Sequence, residues 1–328
     1  MADSVTLGGD EAERLAIDAC LGAGADAESA RALARATIAA HRAGRPEVGF
    51  AHLVDYLAAW REGRINRQPQ PVLERPFGAC LSSNADGGIA QLGFDLAFTG
   101  LVETARTQGI GLFTQHNSFT SGELGYYVRR LADEGLVALA FTNANAFVAP
   151  APGMPRLYST NPLAFGFPLD DGGRPVVIDQ SSAATAFVNL SAAAREDRLL
   201  DEGIAIDAAG APTRDARAGL LGALLPFGGR KGANIALMVE LMAAGLAGGS
   251  WSVDMPDFQS GSRTLDVGLT VIAIAAGAPP AETAKRAAAF VARLTAAGVH
   301  VPGRRHGAAT GAIRLDASLY DRVTSFIG

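Results

Sequence analysis

Apolar positions divide this chain into helical stretches toward both ends and short buried runs in the middle. Between residues 135 and 182, three runs (136–142, 163–167 and 176–179) have the length and apolar content of buried strands, and each gives way to small polar residues or a turn. Pro150, Pro152, Pro155, Pro162 and Pro168 mark where the chain must leave a sheet, because proline has no N–H for a ladder. Thr-Asn, Ser-Thr-Asn-Pro and Asp-Gln-Ser-Ser flank these runs. Hydrogen-bonding groups therefore gather along one edge of an apolar scaffold, which is where a polar cofactor is expected. Residues 109–113 and 269–275 read as two further buried strands.

Outside this region the period changes to that of a helix. Leu15, Ala19, Leu33 and Ile38 recur at helical spacing, and Gly22-Ala23-Gly24 breaks the series, which predicts two helices with Asp26 capping the second. Residues 50–61 form a third, with Leu53, Leu57 and Trp60 on one side. Further helices are expected over 92–108, up to 134, 191–200, 233–247, 279–294 and 318–326. The proline-rich stretch 67–76 reads as an extended lobe boundary, and 115–127 as a polar loop opening a helix. The expected class is mixed α/β. A helical N-terminal region (1–74) packs with C-terminal helices (281–328), beside an α/β lobe (75–280) that binds cofactor and substrate.

Composition changes this picture mainly by exclusion. With 328 residues, 48% of them hydrophobic, the chain can bury a large core. A formal net charge of −5 has the wrong sign for general attraction to nucleic acid or anionic membranes, so small-molecule chemistry is expected. Cys20 and Cys80 have neither disulfide-framework nor metal-ligand spacing, and no metal is expected. The acidic start MADSVTLGGDEAERL has no signal-peptide pattern, and no stretch reaches the ~18 apolar residues of a membrane span. A cytoplasmic protein is expected.

Three blocks carry more. Ser159-Thr160-Asn161-Pro162-Leu163-Ala164-Phe165, then Ile178-Asp179-Gln180-Ser181-Ser182, then Leu225-Pro226-Phe227-Gly228-Gly229-Arg230-Lys231-Gly232 follow in that order. Together they resemble the malate/L-lactate dehydrogenase family that does not use a Rossmann domain. Its members include malate, lactate, sulfolactate, ureidoglycolate and diketogulonate oxidoreductases and the Δ1-piperideine-2-carboxylate/Δ1-pyrroline-2-carboxylate reductases. The block at 222–232 looks closest to that last, ketimine-reducing branch. The resemblance implies a sulfolactate-dehydrogenase-like fold, a nicotinamide cofactor, a carboxylate-bearing substrate and a homodimer whose site lies between domains and is partly closed by the partner. Consistently, no Gly-x-Gly-x-x-Gly follows an early strand.

The resemblance also assigns residues. Relatives carry Ser-His-Gly before the third helix, with a carboxylate-binding arginine three residues beyond the glycine. Here Glu47 and Val48 stand at the serine and histidine, and His52 at the arginine. At a second motif, Ser-x-His-x-Gly, Ser118 matches the serine and Thr120 the histidine, with Ser121 and Gly122 following. Cofactor contacts are expected from Ser118, Thr120, Ser121, Gly122, Thr160, Asn161, Pro162, Asp179, Gln180, Ser181, Lys231 and Gly232. Glycines beside Lys231 let backbone N–H groups approach a pyrophosphate at a helix start. Relatives have Pro-Gly-Glu near the adenosine end, whereas this chain has Pro302-Gly303-Arg304-Arg305. An arginine pair suits a 2′-phosphate, so NADPH is expected ahead of NADH.

Both family histidines are thus replaced by Val48 and Thr120. Ketone reduction needs a positioned acid, whereas a cyclic ketimine is protonated on nitrogen before hydride arrives. The expected reaction is reduction of such an iminium, with His52 or an arginine on the carboxylate, and Glu47 or Asp179 near the positive charge. Asp179 is read both as a cofactor contact and as a catalytic carboxyl. Two alternatives stay open: a 2-hydroxy acid dehydrogenase using His52 or His116 as acid, and a cofactor-binding protein without turnover. Arg263 falls near a basic position of relatives and equally suits a solvated loop.

Overall fold

The structure, a computed structural model, describes residues 4–260, 263–277, 279–304 and 311–327. A short strand β1 (Ser4–Leu7) leads into α1 (Gly9–Ala23), α2 (Ala27–Arg42) and α3 (Phe50–Arg61). The sequence signals here act as expected. Gly24, with φ of 103°, ends α1, and Asp26 accepts hydrogen bonds from the N–H groups of Glu28 (2.8 Å) and Ser29 (3.0 Å). Next come β2 (Val72–Phe77), β3 (Cys80–Asn84), α4 (Ala90–Gln108), β4 (Ile110–Ser118), α5 (Gly125–Asp133), β5 (Val137–Thr142), β6 (Leu163–Phe167) and β7 (Val176–Gln180). A satellite follows, made of α6 (Phe187–Arg195), β8 (Ala205–Ile206), β9 (Pro212–Thr213), α7 (Ala216–Leu221) and β10 (Ala223–Leu224). The chain finishes with α8 (Arg230–Glu240), β11 (Val267–Ile274), α9 (Pro280–Ala296), β12 (Ile313–Asp316) and α10 (Ala317–Thr324).

Seven strands form the central sheet in the order β2-β3-β4-β11-β5-β6-β7, and only β3 and β4 pair in parallel. That topology is mixed, as expected, and excludes the parallel doubly wound sheet of a Rossmann domain. The register puts Asn84, Ser118, Thr142, Leu163, Gln180 and Val267 at the same edge, because β6 and β11 run opposite to their neighbours. The polar segments that border the buried runs do gather there. Phe94 of α4 packs against Phe113, and Tyr127 of α5 joins the same core beneath the sheet. A second core joins α1–α3 to the C-terminal segment, with Leu33, Trp60, Ile313, Leu315 and Val323 buried in it. β1 and β12 pair antiparallel, Ser4 opposite Asp316.

The short strands β1, β3, β8, β9, β10 and β12 were not read from the sequence, and four further elements differ from their reading. The stretch near 67–76 contains an edge strand, β2, rather than only a linker; its side chains are exposed, so it carries no buried-strand signal. β4 continues through Gln115 to Ser118, where a loop was expected. Its polar side chains are satisfied inside the protein, Gln115 by donating to the Ala90 carbonyl (3.3 Å) and Ser118 to the Val267 carbonyl (3.0 Å). The helix expected over 191–200 begins at Phe187 and stops at Arg195, just before Asp197 turns left-handed (φ 51°). The helix expected over 233–247 starts at Arg230 and continues past Glu240 as a π-helical turn, Leu241–Leu246.

Candidate active site

The loop between β4 and α5 is held from behind. Tyr56 of α3 donates its hydroxyl to the Thr120 carbonyl (2.8 Å), and the Ser121 carbonyl accepts from Gln91 (3.0 Å) and from Tyr127 (2.8 Å). Gly122 (φ 68°) makes the turn possible. With those carbonyls engaged, the Ser121 and Gly122 N–H groups donate to no protein acceptor among the described residues. Thr120 is in turn met by α3: His52 Nε2 lies 3.1 Å from Thr120 Oγ1, and His52 Nδ1 lies 2.8 Å from Asp55 Oδ2. The two family motifs, 68 residues apart, therefore converge on one hydrogen-bonded chain, Asp55–His52–Thr120. Asp55, one turn after His52 on α3, escaped the sequence reading; the i,i+3 spacing was its available signal.

Asp179, at the end of β7, lies across the start of α5. Its Oδ2 accepts from the Gly125 N–H (2.8 Å), a favourable place for a negative charge at a helix N-terminus. Burial nevertheless pushes its carboxyl up to about 6, against the opposing pull of that hydrogen bond and of Arg45. Arg45 Nη1 reaches the Asp179 carbonyl at 3.4 Å and Arg45 Nε reaches Glu47 at 2.6 Å. Glu47 is thereby tied to an arginine two residues away. Around Asp179 opens a cleft of ≈ 410 Å³ whose lining includes Gly44, Arg45, Arg174, Gln180, His300 and Gly303. Arg45 and Arg174 were missed, since neither belongs to a motif.

The Ser-Thr-Asn-Pro block is built differently from its sequence reading. Asn161 is fully buried and left-handed (φ 37°), and its amide nitrogen donates to Ala236 O (2.7 Å) and Glu240 Oε2 (2.8 Å) of α8. Glu240, itself buried, also accepts from Asn143 (3.3 Å) and from the Ser252 N–H and hydroxyl (2.7 Å each). Ser118 is likewise buried, with its hydroxyl on a backbone carbonyl, so both it and Asn161 hold the edge together from within. The Thr160 carbonyl accepts from the Ser181 hydroxyl (3.1 Å) and the Ser182 N–H (2.8 Å), which joins this block to the Asp-Gln-Ser-Ser block. Phe227 N–H to Ser182 O (3.1 Å) brings in the glycine-rich block. All three motifs adjoin one another. Lys231 is exposed in the first turn of α8, whose start at Gly229 has no side-chain cap, and nothing crowds Gly228 or Gly229.

Arg304 has partners of its own within the chain. Its guanidinium forms a bidentate pair with Asp171 and donates to the Arg174 carbonyl (2.5 Å). Nη1 and Nη2 thus already have partners within the chain. Arg305 lies outside the described residues. Gly303 (φ 80°) sits against β7, where a Cβ would come within 2.6 Å of the Val177 nitrogen. His116 stays in β4, its Nδ1 4.0 Å from where a Cβ on Gly248 would sit. Arg263 is exposed.

Residues 8–317 match the family model for malate/L-lactate dehydrogenase. The chain belongs to that family. It is 34% identical to the Δ1-pyrroline-2-carboxylate reductase of Pseudomonas fluorescens over 94% of this chain and 93% of the relative. It is 36% identical to an NADP(+)-dependent (2R)-3-sulfolactate dehydrogenase of Chromohalobacter salexigens over 90% and 89% of the two chains. The crystal structure of Δ1-piperideine-2-carboxylate reductase from Pseudomonas syringae pv. tomato superposes with a TM-score of 0.91 at 33% identity, covering 98% of this chain and 99% of that one. As a member of the malate/L-lactate dehydrogenase family the protein is an oxidoreductase.

A pyridine nucleotide, which that family implies, fits the groups at this edge. Asn145 and Asn161 each bury a side-chain oxygen without a partner, as a carboxamide N–H₂ would require, and the uncapped start of α8 beside Lys231 offers donors to an anion. Among the described residues no cluster of three or more His, Cys, Asp or Glu is arranged for a metal, and Cys20 and Cys80 are free. Nor is any described helix long and apolar enough to cross a membrane.

The Asp179 carboxyl leads to a first prediction. Its folded value, about 6, exceeds the ordinary 3.8, so the folded state binds the proton more tightly. Its contribution to stability is then intact below pH 4 and is lost as pH rises through 6, by at most about 3 kcal/mol. Asp179→Asn is expected to be more stable than the wild type at pH 7.5 and equal to it at pH 4. Urea midpoints at the two pH values check this, and equal midpoints at pH 7.5 would contradict it.

Proposed function

We propose that this protein is an NAD(P)H-dependent reductase of cyclic ketimines of the Δ1-pyrroline-2-carboxylate or Δ1-piperideine-2-carboxylate type, yielding the cyclic L-amino acid. One observation carries the reading: where the family histidines stand, this site has Val48 and Thr120, and the nearby imidazole of His52 is on the Asp55–His52–Thr120 chain. Such a site has little need of an acid if the substrate arrives as an iminium, already protonated on nitrogen. When bound, the dinucleotide supplies hydride. The residues of the chain supply orientation and charge. His52, at the family's arginine position, takes the substrate carboxylate together with the Thr120 hydroxyl and the Ser121 and Gly122 N–H groups. Asp55 holds the imidazole in line. Asp179, with Glu47 behind Arg45, supplies negative potential for the iminium, and Asn145, Lys231, Gln180 and Ser181 serve the cofactor. The identities in the low-to-middle thirties with pyrroline- and piperideine-carboxylate reductases support the same substrate class.

We further propose NADPH as the preferred form, since the pair Arg304-Arg305 suits a 2′-phosphate. The setting is cytoplasmic and the assembly a homodimer. Leu237, Met238, Leu241 and Leu246 leave an apolar face on α8 and its continuation open to solvent, and a second copy would cover it. Leu237→Glu combined with Leu241→Glu is expected to halve the mass measured by light scattering.

A second reading rests on the same hydrogen-bonded chain. His52 could pass a proton through Thr120 to a ketone oxygen, which would make the protein a 2-hydroxy acid dehydrogenase. An activity screen with purified enzyme and both cofactors decides between them. Turnover of cyclic ketimines well above pyruvate and oxaloacetate is expected. Robust keto acid reduction without ketimine turnover defeats the first reading.

A further inference from the structure

Arg64 has no place in the chemistry above, yet its side chain is only 2% exposed. Its Nε and Nη2 face Glu62 (2.8 and 2.7 Å), its Nη1 donates to the carbonyl of Phe258 (2.5 Å), and its own carbonyl accepts from the Thr264 hydroxyl (2.7 Å). A buried guanidinium is costly unless each donor finds a partner, so these contacts fix the Phe258 backbone firmly. The guanidinium lies 5.8 Å from the ring of Phe119, the residue before Thr120. Phe258 in turn presents its ring edge-to-face to His52 and to Phe147, with centroids 6.3 Å apart in both cases, and Phe147 stacks on Phe187 at 4.4 Å. His52 thus has polar partners on one side, Asp55 and Thr120, and an aromatic wall on the other.

We infer that Phe258 is the specificity-determining residue for the substrate ring and that Arg64 is its positioning residue. This rests on the assignment of His52 to the substrate carboxylate. A carboxylate held by His52 and Thr120 places the rest of the molecule beside Phe258. An apolar five- or six-membered ring gains contact there that an open-chain keto acid lacks.

Calorimetric titration with the NADP⁺-loaded enzyme separates the two claims, using pyrrole-2-carboxylate as a ring-bearing probe and pyruvate as a ringless one. Phe258→Ala is expected to weaken pyrrole-2-carboxylate about tenfold while pyruvate changes less than about twofold. In turnover the same variant raises KM for the cyclic substrate and leaves kcat nearly unchanged. Arg64→Lys, which keeps the charge but cannot hold Glu62 and the Phe258 carbonyl together, gives a smaller loss of the same selectivity. Phe258→Leu recovers part of it. If His52→Leu weakens both probes but Phe258→Ala does not discriminate between them, the inference about the ring fails while the carboxylate assignment stands. If neither probe responds to His52→Leu, the carboxylate assignment itself fails.

Discussion

His52→Leu is expected to lower kcat/KM for a cyclic ketimine by roughly 30- to 150-fold, which corresponds to the about 2–3 kcal/mol of a hydrogen bond to a charged group. Most of the loss should appear in KM. A carboxylate anchor acts on the bound substrate and the transition state alike, so removing it weakens binding more than it slows the hydride step. The partners of His52 sharpen the expectation. Asp55 at 2.8 Å orients the ring, so Asp55→Asn, which keeps an acceptor but removes the charge, should give a smaller loss of the same kind. His52→Arg restores the residue type that relatives carry and should retain activity within about fivefold, because guanidinium is the stronger carboxylate ligand. Steady-state kinetics on the three variants check this. A collapse of kcat with unchanged KM in His52→Leu would point to proton transfer instead.

Glu240→Ala should be the most damaging single change to the fold, at about 3–5 kcal/mol. The carboxyl group accepts from Asn143, Asn161 and both donors of Ser252, all of them buried. Alanine would leave four donors without partners and a cavity beneath the Ser-Thr-Asn-Pro turn. Because Asn161 and Asn143 border β6 and β5, the loss should reach the cofactor edge as well as the midpoint of unfolding. Urea denaturation measures the first effect, and dinucleotide titration by fluorescence measures the second. A loss under 1 kcal/mol would show that the edge is held by other contacts.

These two residues also show how much of the molecule was legible in its sequence. Local signals served well where one residue type has one job: Gly22 to Asp26 marked a helix boundary, and three apolar runs marked buried strands. The three family blocks do come together, because Ser181 bonds to Thr160 and Phe227 to Ser182. What the sequence could not show was which side chains the fold would join to one another. Asn161 reads as a cofactor ligand in a motif, but its amide nitrogen faces Glu240, 79 positions later. Arg304 reads as a phosphate ligand, and nothing near it in sequence shows that Asp171, 133 positions earlier, is bonded to it. Pairings over such distances leave no periodicity. Arg45 and Arg64 went unread for the same reason, since ordinary polar residues acquire a role only from what folding sets beside them, whereas Asp55 stood at a readable i,i+3 spacing from His52.

The pairing of β1 with β12 has a bearing on synthesis. Helices α1 to α3 emerge well before Ile313, Leu315 and Val323, which close the apolar surface around Trp60 and Leu33. A nascent chain must therefore carry this helical bundle open and oily until β12 and α10 have also been made. Such a chain would offer holdase chaperones a longer-lived target in α1 to α3 than in the central sheet.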